Sequence, residues 1–373
     1  MSHGNFLLHD HRREQGNNRK LLLSKGEGSQ CATLSLVIAF QHRGVNLNAW
    51  NCRFAVELSG APATLEKRIP INESVHLQRY ADGWRPGSPC RQKTSMKSNR
   101  ITHASQLPAP RIVSRILRWA RGARAGLLSE RSIDSALSTP RVHVLGMHHV
   151  FEDEKRPFHE LLDALAATHE LAGVSNAFGR LAGGEAITRP ILCLTFDDGF
   201  AHHVTVGEAI RERGGIGTFF PCTWPLDASE EERDLFCQRA LGRPPIAMMG
   251  WKELEVLAGR GHEIGCHTAT HRSLSEVPEN ELADEINGAA EVLRSRLGKM
   301  EAFAWPFGRR QHITTAARAM IERAGFEYVL SALGGCHFGP LEVGASICRD
   351  MAEPVSGPAM IRRVMALSVS RSR

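Results

Sequence analysis

The sequence predicts an α/β fold of parallel βα units, closed as a barrel or laid out as an open sheet, in its C-terminal two-thirds. Three observations carry this. From Pro140 onward, apolar strand-like runs alternate with helical patterns. Aspartates and histidines stand at the C-terminal ends of those runs, the edge where parallel α/β folds build their sites. Residues 1 to about 108 show neither the helical nor the strand period, so the alternation has a distinct beginning.

The elements follow in order. Arg141–Val150 is the first strand and its end, and a helix is expected around His159–Leu171. Ile191–Thr195 is a second strand, followed by a helix through Val206–Arg213. Thr218–Phe220 is a third. An irregular, charged and proline-bearing insertion is expected from Thr223 to about Met249. A helix at Trp251–Ala258 leads into the run His262–Cys266. A long helix spans about Glu279 to Leu297, with Pro278 suited to its first turn. Ala302–Trp305 is the next strand. A helix at about Thr314–Ala324 stops at Gly325, and Tyr328–Ala332 is again extended. Nothing repeats at a fixed period of 20–50 residues.

Charge divides the chain in the same way. Residues 1–140 hold 21 Lys and Arg against 9 Asp and Glu, although the net charge of the whole is only +6. A basic extension, residues 1–108, therefore precedes a mildly acidic body beginning at 140. It reads as poorly ordered, and Met96 is a candidate later start. Between them, residues 109–139 hold Ile112, Ile116, Leu117 and Trp119 among five arginines, a basic amphipathic helix or linker. No zinc-finger, helix-turn-helix or aromatic-basic pattern points to specific nucleic acid.

Nine scattered cysteines without a Cys-x-x-Cys pair do not make a disulfide framework. The longest apolar run, Ala32–Phe40, falls short of the roughly 20 residues a membrane span needs, and no small-residue cleavage site follows it. A cytoplasmic location is expected, with the cell envelope as the alternative.

Three clusters carry chemistry. Thr195-Phe196-Asp197-Asp198-Gly199 ends an apolar strand with two adjacent carboxylates, which need a cation between them or must raise one another's pKa. The bland alternative is an Asx-turn before the next helix. His267 and His271 have the His-x-x-x-His spacing of a metal site, without the glutamate of the metalloprotease motif. Alone they could be two solvated loop histidines. Together, one Asp and two His make a facial ligand set, and the other Asp is then free to act as a general base on water. Trp305-Pro306-Phe307-Gly308 is a turn at a strand end that can offer a backbone N–H to a developing oxyanion.

In this order and spacing, Thr-Phe-Asp-Asp-Gly, His-Thr-x-x-His and Pro-Phe-Gly resemble the polysaccharide deacetylases, carbohydrate esterase family 4, the NodB-homology domain. The resemblance covers about residues 140–350. It implies a distorted (β/α) barrel of about seven strands and hydrolysis of N-acetyl groups on N-acetylglucosamine-containing polysaccharides. It further implies Asp197 as base, Asp198, His267 and His271 as ligands of a divalent ion such as zinc, and the Phe307 N–H as oxyanion donor. Trp305 and Pro306 are expected to touch substrate.

Two departures from the pattern matter. Ala304 stands where many members have an arginine beside the base, and Arg349 is the candidate substitute. No C-terminal Leu-x-x-His supplies a general acid. Met147-His148-His149-Val150 resembles an early-strand motif that provides it in the branch acting on bacterial exopolysaccharide, so His148 is the candidate acid, with His337 as the other possibility. A buried or capping role for His148 is the alternative. The rival functions are a carbohydrate-binding pseudoenzyme and a hydrolase of small non-sugar amides on the same barrel.

Overall fold

The computed structural model describes residues 100–108 and 128–372, together with the backbone of Phe6–His11, Asn18–Lys25, Leu34–Phe40 and Cys52–Leu58. The chain divides into two compact units, Met1–Ser88 and Pro89–Arg373. In the first, the four strands pair in sequence order as an antiparallel sheet. The apolar run at Ala32–Phe40 contributes its third strand. Of the amphipathic helix or linker expected over residues 109–139, residues 109–127 lie outside the described residues, as does the candidate start at Met96, and the rest holds a helix at Glu130–Leu137.

The division falls before the change of texture at Pro110. Residues 100–108 accordingly hold to the second unit. Ile101 N–H donates to Pro245 O at 2.9 Å, Glu152 N–H donates to Thr102 O at 3.0 Å, and Arg100 pairs with Asp234 at 2.8 Å.

Seven of the nine strands described in the second unit make its barrel. They are β1 (Val142–Met147), β2 (Ile191–Asp198), β3 (Gly217–Pro221), β4 (Glu263–Ile264), β5 (Ala302–Ala304), β6 (Tyr328–Leu330) and β7 (Asp350–Met351). The pairs β1–β2, β2–β3, β3–β4, β5–β6 and β7–β1 are all parallel. Two single parallel bridges complete the circuit, Cys266 to Phe303 between β4 and β5, and Leu330 to Ile347 between β6 and β7. The result is a closed but uneven (β/α) barrel, as the strand–helix alternation predicts.

Strand periodicity sorts the core into two clusters. Val142, Val144, Ile191, Cys193, Phe220, Ala302, Ala304, Leu330 and Ile347 belong to one. Their neighbours Leu145, Leu192, Leu194, Phe219, Phe303 and Val329 belong to the other, shared with the surrounding helices. The first set faces the barrel interior. Val174, Ala177, Phe178 and Leu181 of the helix Val174–Ala182 join it and close the N-terminal mouth. Gly265 has no room for a Cβ, which would lie 2.3 Å from the Phe220 ring and 2.8 Å from Ala302 O. Its absence lets the strand lie close against its neighbours.

Several helices differ from the expectation. The first runs Lys155–Ala166, earlier than expected, with Pro157 in its opening turn. The insertion after Thr223 holds a helix, Glu230–Arg239, started by a capping box of Ser229 and Glu232. The helices Val174–Ala182 and Pro358–Ser372 were not anticipated. The six described cysteines are free thiols.

Candidate active site

The inward columns of side chains change character as they rise. On β2, Ile191 and Cys193 are followed by Thr195 and then Asp197. On the strand that includes β7, Ile347 is followed by Arg349. After β1, His148 continues the column of Val142, Val144 and Gly146. Apolar residues fill the lower barrel, and titratable ones crown its C-terminal edge.

Asp197 and Arg349 meet there. Arg349 Nη1 donates to Asp197 Oδ1 at 2.8 Å and Nη2 donates to Oδ2 at 2.9 Å. Arg349 Nε donates to Ser331 O at 2.7 Å, and Nη1 also reaches Thr195 Oγ1 at 3.2 Å. Both side chains are buried. Burial works to raise the Asp197 pKa, but the Arg349 charge, then that of His267, outweighs it and holds the carboxyl below its ordinary value. Asp197 is an ionised carboxylate, kept so by a two-pronged pair.

Asp198 turns elsewhere. Its φ is 73° and that of Gly199 is 86°, so the backbone reverses immediately after β2. Its Oδ1 lies 3.3 Å from His271 Nε2 and 3.6 Å from His267 Nε2. That oxygen is buried and has no hydrogen-bond partner. His267 Nδ1 donates to Ala304 O at 2.6 Å, which leaves the Nε2 lone pair facing Asp198. Burial pushes His271 down to about 3, so its ring is neutral at physiological pH. Two imidazoles and a carboxylate, with donor atoms all within 4.8 Å of one another, fit a divalent transition ion such as zinc.

The four described non-glycine residues with positive φ are Asp198, Thr268, His271 and Phe307. All belong to this rim. A β-branched residue at φ 67°, as Thr268 is, is a true outlier and costs on the order of 1–3 kcal/mol. Thr268 Oγ1 accepts from His271 N–H at 3.1 Å, which ties the strained turn to the histidine it aims.

His148 lines the same cavity as Asp197, Asp198, His267 and His271. Its Nδ1 bonds Glu353 Oε1 at 2.8 Å, leaving Nε2 for the cavity. Desolvation would lower its pKa, yet the hydrogen bond and charge of Glu353 more than offset this and raise it. Glu353 was not singled out from the sequence. His149 lies on the other side, buried beside Phe151 and bonded to Arg243 at 3.1 Å. His337 is far from this edge. It pairs with Val142 at the start of β1, its Nε2 accepts from Cys348 N–H at 3.0 Å, and burial pushes its pKa down to about 4.

The cavity has a volume of about 550 Å³. Phe307, Gly308 and Arg309 line it after β5, and the C-terminal helix Pro358–Ser372 supplies Val364, Leu367, Ser368 and Arg371. The Phe307 ring packs 4.9 Å from His271 and 4.9 Å from His312. Trp305 and Pro306 are buried and are not among the lining residues. Trp305 shares the outer column of Phe303 and donates its indole N–H to Arg309 O at 3.2 Å. It braces the turn from behind instead of touching what the cavity holds.

Residues 185–329 match the family model described as polysaccharide deacetylase. This stretch belongs to the polysaccharide deacetylase family. It contains Asp197, Asp198, His267, His271 and Phe307, while His148 and Arg349 lie on either side of it. Among solved structures, IcaB from Ammonifex degensii is similar in fold, with 20% identity and a TM-score of 0.50 over 61% of this chain and 98% of that one. The deacetylase PplD of Streptococcus pyogenes, solved in complex with acetate, matches at 16% identity and a TM-score of 0.46 over 61% of this chain and 99% of that one. No curated protein sequence matches the chain. Among the described residues, no helix is long and apolar enough to cross a membrane.

Proposed function

We propose that this protein is a metal-dependent carbohydrate N-deacetylase, a hydrolase of the N-acetyl groups on N-acetylglucosamine-containing poly- or oligosaccharides. One observation carries the reading. Two adjacent carboxylates have different partners, Asp197 a buried arginine and Asp198 two imidazoles. A base and a ligand are thereby separated within one dipeptide.

Asp198, His267 and His271 would hold a divalent ion, which supplies a Lewis acid to polarise the acetyl carbonyl and acidify water. Asp197 accepts a proton from the water as its oxygen bonds the carbonyl carbon. Arg349 keeps that carboxylate ionised and oriented. The Phe307 N–H faces the oxyanion that develops. His148, charged by Glu353, donates its Nε2 proton to the departing amine as the C–N bond breaks. Acetate and a free amino sugar result, with one water consumed.

The position opened by Ala304 does not favour a binding-only protein, because Arg349 reaches the base from another strand. Acetate release from N-acetylglucosamine oligomers, with and without chelator, tests the reading. Metal analysis of the purified protein accompanies it. Release that chelator does not suppress removes the metal role, and no release from any amino sugar leaves the binding protein or the small-amide hydrolase.

A further inference from the structure

The charges around the cavity do not cancel. Four arginines line it against three aspartates, and only one of those aspartates, Asp197, is paired with an arginine. Asp197 takes Arg349, Asp198 faces the two imidazoles, and Asp350 Oδ2 bonds His143 Nε2 at 2.8 Å. Three further guanidinium groups line the same space, Arg243, Arg309 and Arg371. Among the described residues, none of the three forms an ion pair with a carboxylate. Arg243 donates instead to His149 Nε2 at 3.1 Å.

These arginines come from three separate segments. Arg243 follows the helix Glu230–Arg239, Arg309 follows the Pro306-Phe307-Gly308 turn, and Arg371 ends the C-terminal helix. They converge on one concave site already holding a candidate cation centre. A concave site with a surplus of one sign concentrates the opposite charge within it. Guanidinium groups match the oxygens of phosphate and carboxylate better than any neutral sugar hydroxyl. Between the arginines the wall is apolar, with Leu241, Val364 and Leu367.

We infer that the preferred substrate is an amino-sugar amide that also carries an anionic group, a phosphate or a carboxylate, held by Arg243, Arg309 and Arg371. This inference rests on the deacetylase reading and names the substrate class of that same site. Neutral chitin-like oligomers are then poor substrates.

The test compares N-acetylglucosamine 1-phosphate, N-acetylmuramic acid and neutral N-acetylglucosamine on the full chain, by acetate release and by calorimetric binding. The phosphate and carboxylate arms identify which anion is taken. The expected result is at least a tenfold advantage in kcat/KM for one anionic substrate, shrinking as salt is raised. Arg309→Gln and Arg371→Gln should each reduce the anionic-to-neutral ratio, and Arg309→Lys should keep most of it. Equal turnover of neutral and anionic substrates would overturn the inference while leaving the deacetylase reading intact. Tighter binding of an anionic sugar without acetate release would do the reverse. Equal binding without turnover would remove both.

Discussion

Asp197 and Arg349 are 152 positions apart in sequence and close on one another through both carboxylate oxygens. The arginine arrives from the strand that completes the barrel, on the side away from Ala304. Ala304 has another duty, since its carbonyl accepts from His267. One position cannot be judged vacant from a motif alone when the strand order brings a substitute from elsewhere.

Replacing Arg349 should therefore do more than slow the reaction. Arg349→Met leaves a buried carboxylate without its partner, which is worth about 3–5 kcal/mol of stability. The sign for activity follows from the Asp197 shift. The wild-type base is ionised to below the ordinary carboxylate range, near 4. Loss of the arginine raises that pKa, so the acid limb of kcat/KM moves to higher pH. Arg349→Lys should recover part of the displacement. An acid limb unchanged in both variants would detach Arg349 from the base.

The division between base and ligand predicts two classes of variant. Asp198→Ala and His271→Ala should lose bound metal and turnover together. Asp197→Asn should retain the metal and lose about 10²–10⁴-fold in kcat. Elemental analysis beside kinetics reads both. A metal-free Asp197→Asn would show that the two carboxylates share the ion.

His148→Ala should lower kcat by about 10²-fold or more with metal content unchanged. Because Glu353 raises the His148 pKa, the alkaline limb should sit above the ordinary histidine value, near 6.5. Glu353→Gln should move that limb down in pH without abolishing turnover. His337→Ala should act on stability alone, since the ring is bonded to Cys348 N–H and packed 5.1 Å from Phe178 at the far end of the barrel. A large kcat loss in His337→Ala beside normal turnover in His148→Ala would reverse the assignment.

The N-terminal unit should be separable. A chain starting near Met96 keeps Arg100, Ile101 and Thr102 on the barrel and should retain its thermal transition and turnover. A chain starting at residue 109 removes those attachments and should melt lower. Equal melting of the two would mean that residues 100–108 contribute nothing to the body.

Much of this site was legible because its residues are local. Asp197, Asp198, His267 and Phe307 each sit within three residues of a strand end, His271 follows His267 by one helical turn's spacing in sequence, and the strands are marked by their apolar runs. Parity along β5 could also have been read further, since Trp305 shares the face of Phe303 and so belongs to the outer core. The helix Glu230–Arg239 was likewise signalled by Ser229 and Glu232, a capping box hidden in a segment that looks irregular by composition. Other features needed three dimensions. Glu353 meets His148 across 205 positions, and no spacing rule connects them. The arginines of the cavity wall are scattered across Leu241–Arg243, Arg309 and the last helix, and only the closed barrel collects them.

The barrel is not stitched evenly around its circumference. β1 and β2 share six paired positions, whereas Cys266–Phe303 and Leu330–Ile347 are single bridges. Asp198 stands on the densely hydrogen-bonded arc, and His267 and His271 follow the strand beside the first light seam. An ion gripped by all three would tie β2 to the segment after β4, and the bond from His267 Nδ1 to Ala304 O would carry that hold across the light seam to β5. The ligand site would then be a structural fastener as well as a reactive centre. Stripping the metal should lower the melting temperature, and amide protection near Cys266 should fall before that of β1 and β2.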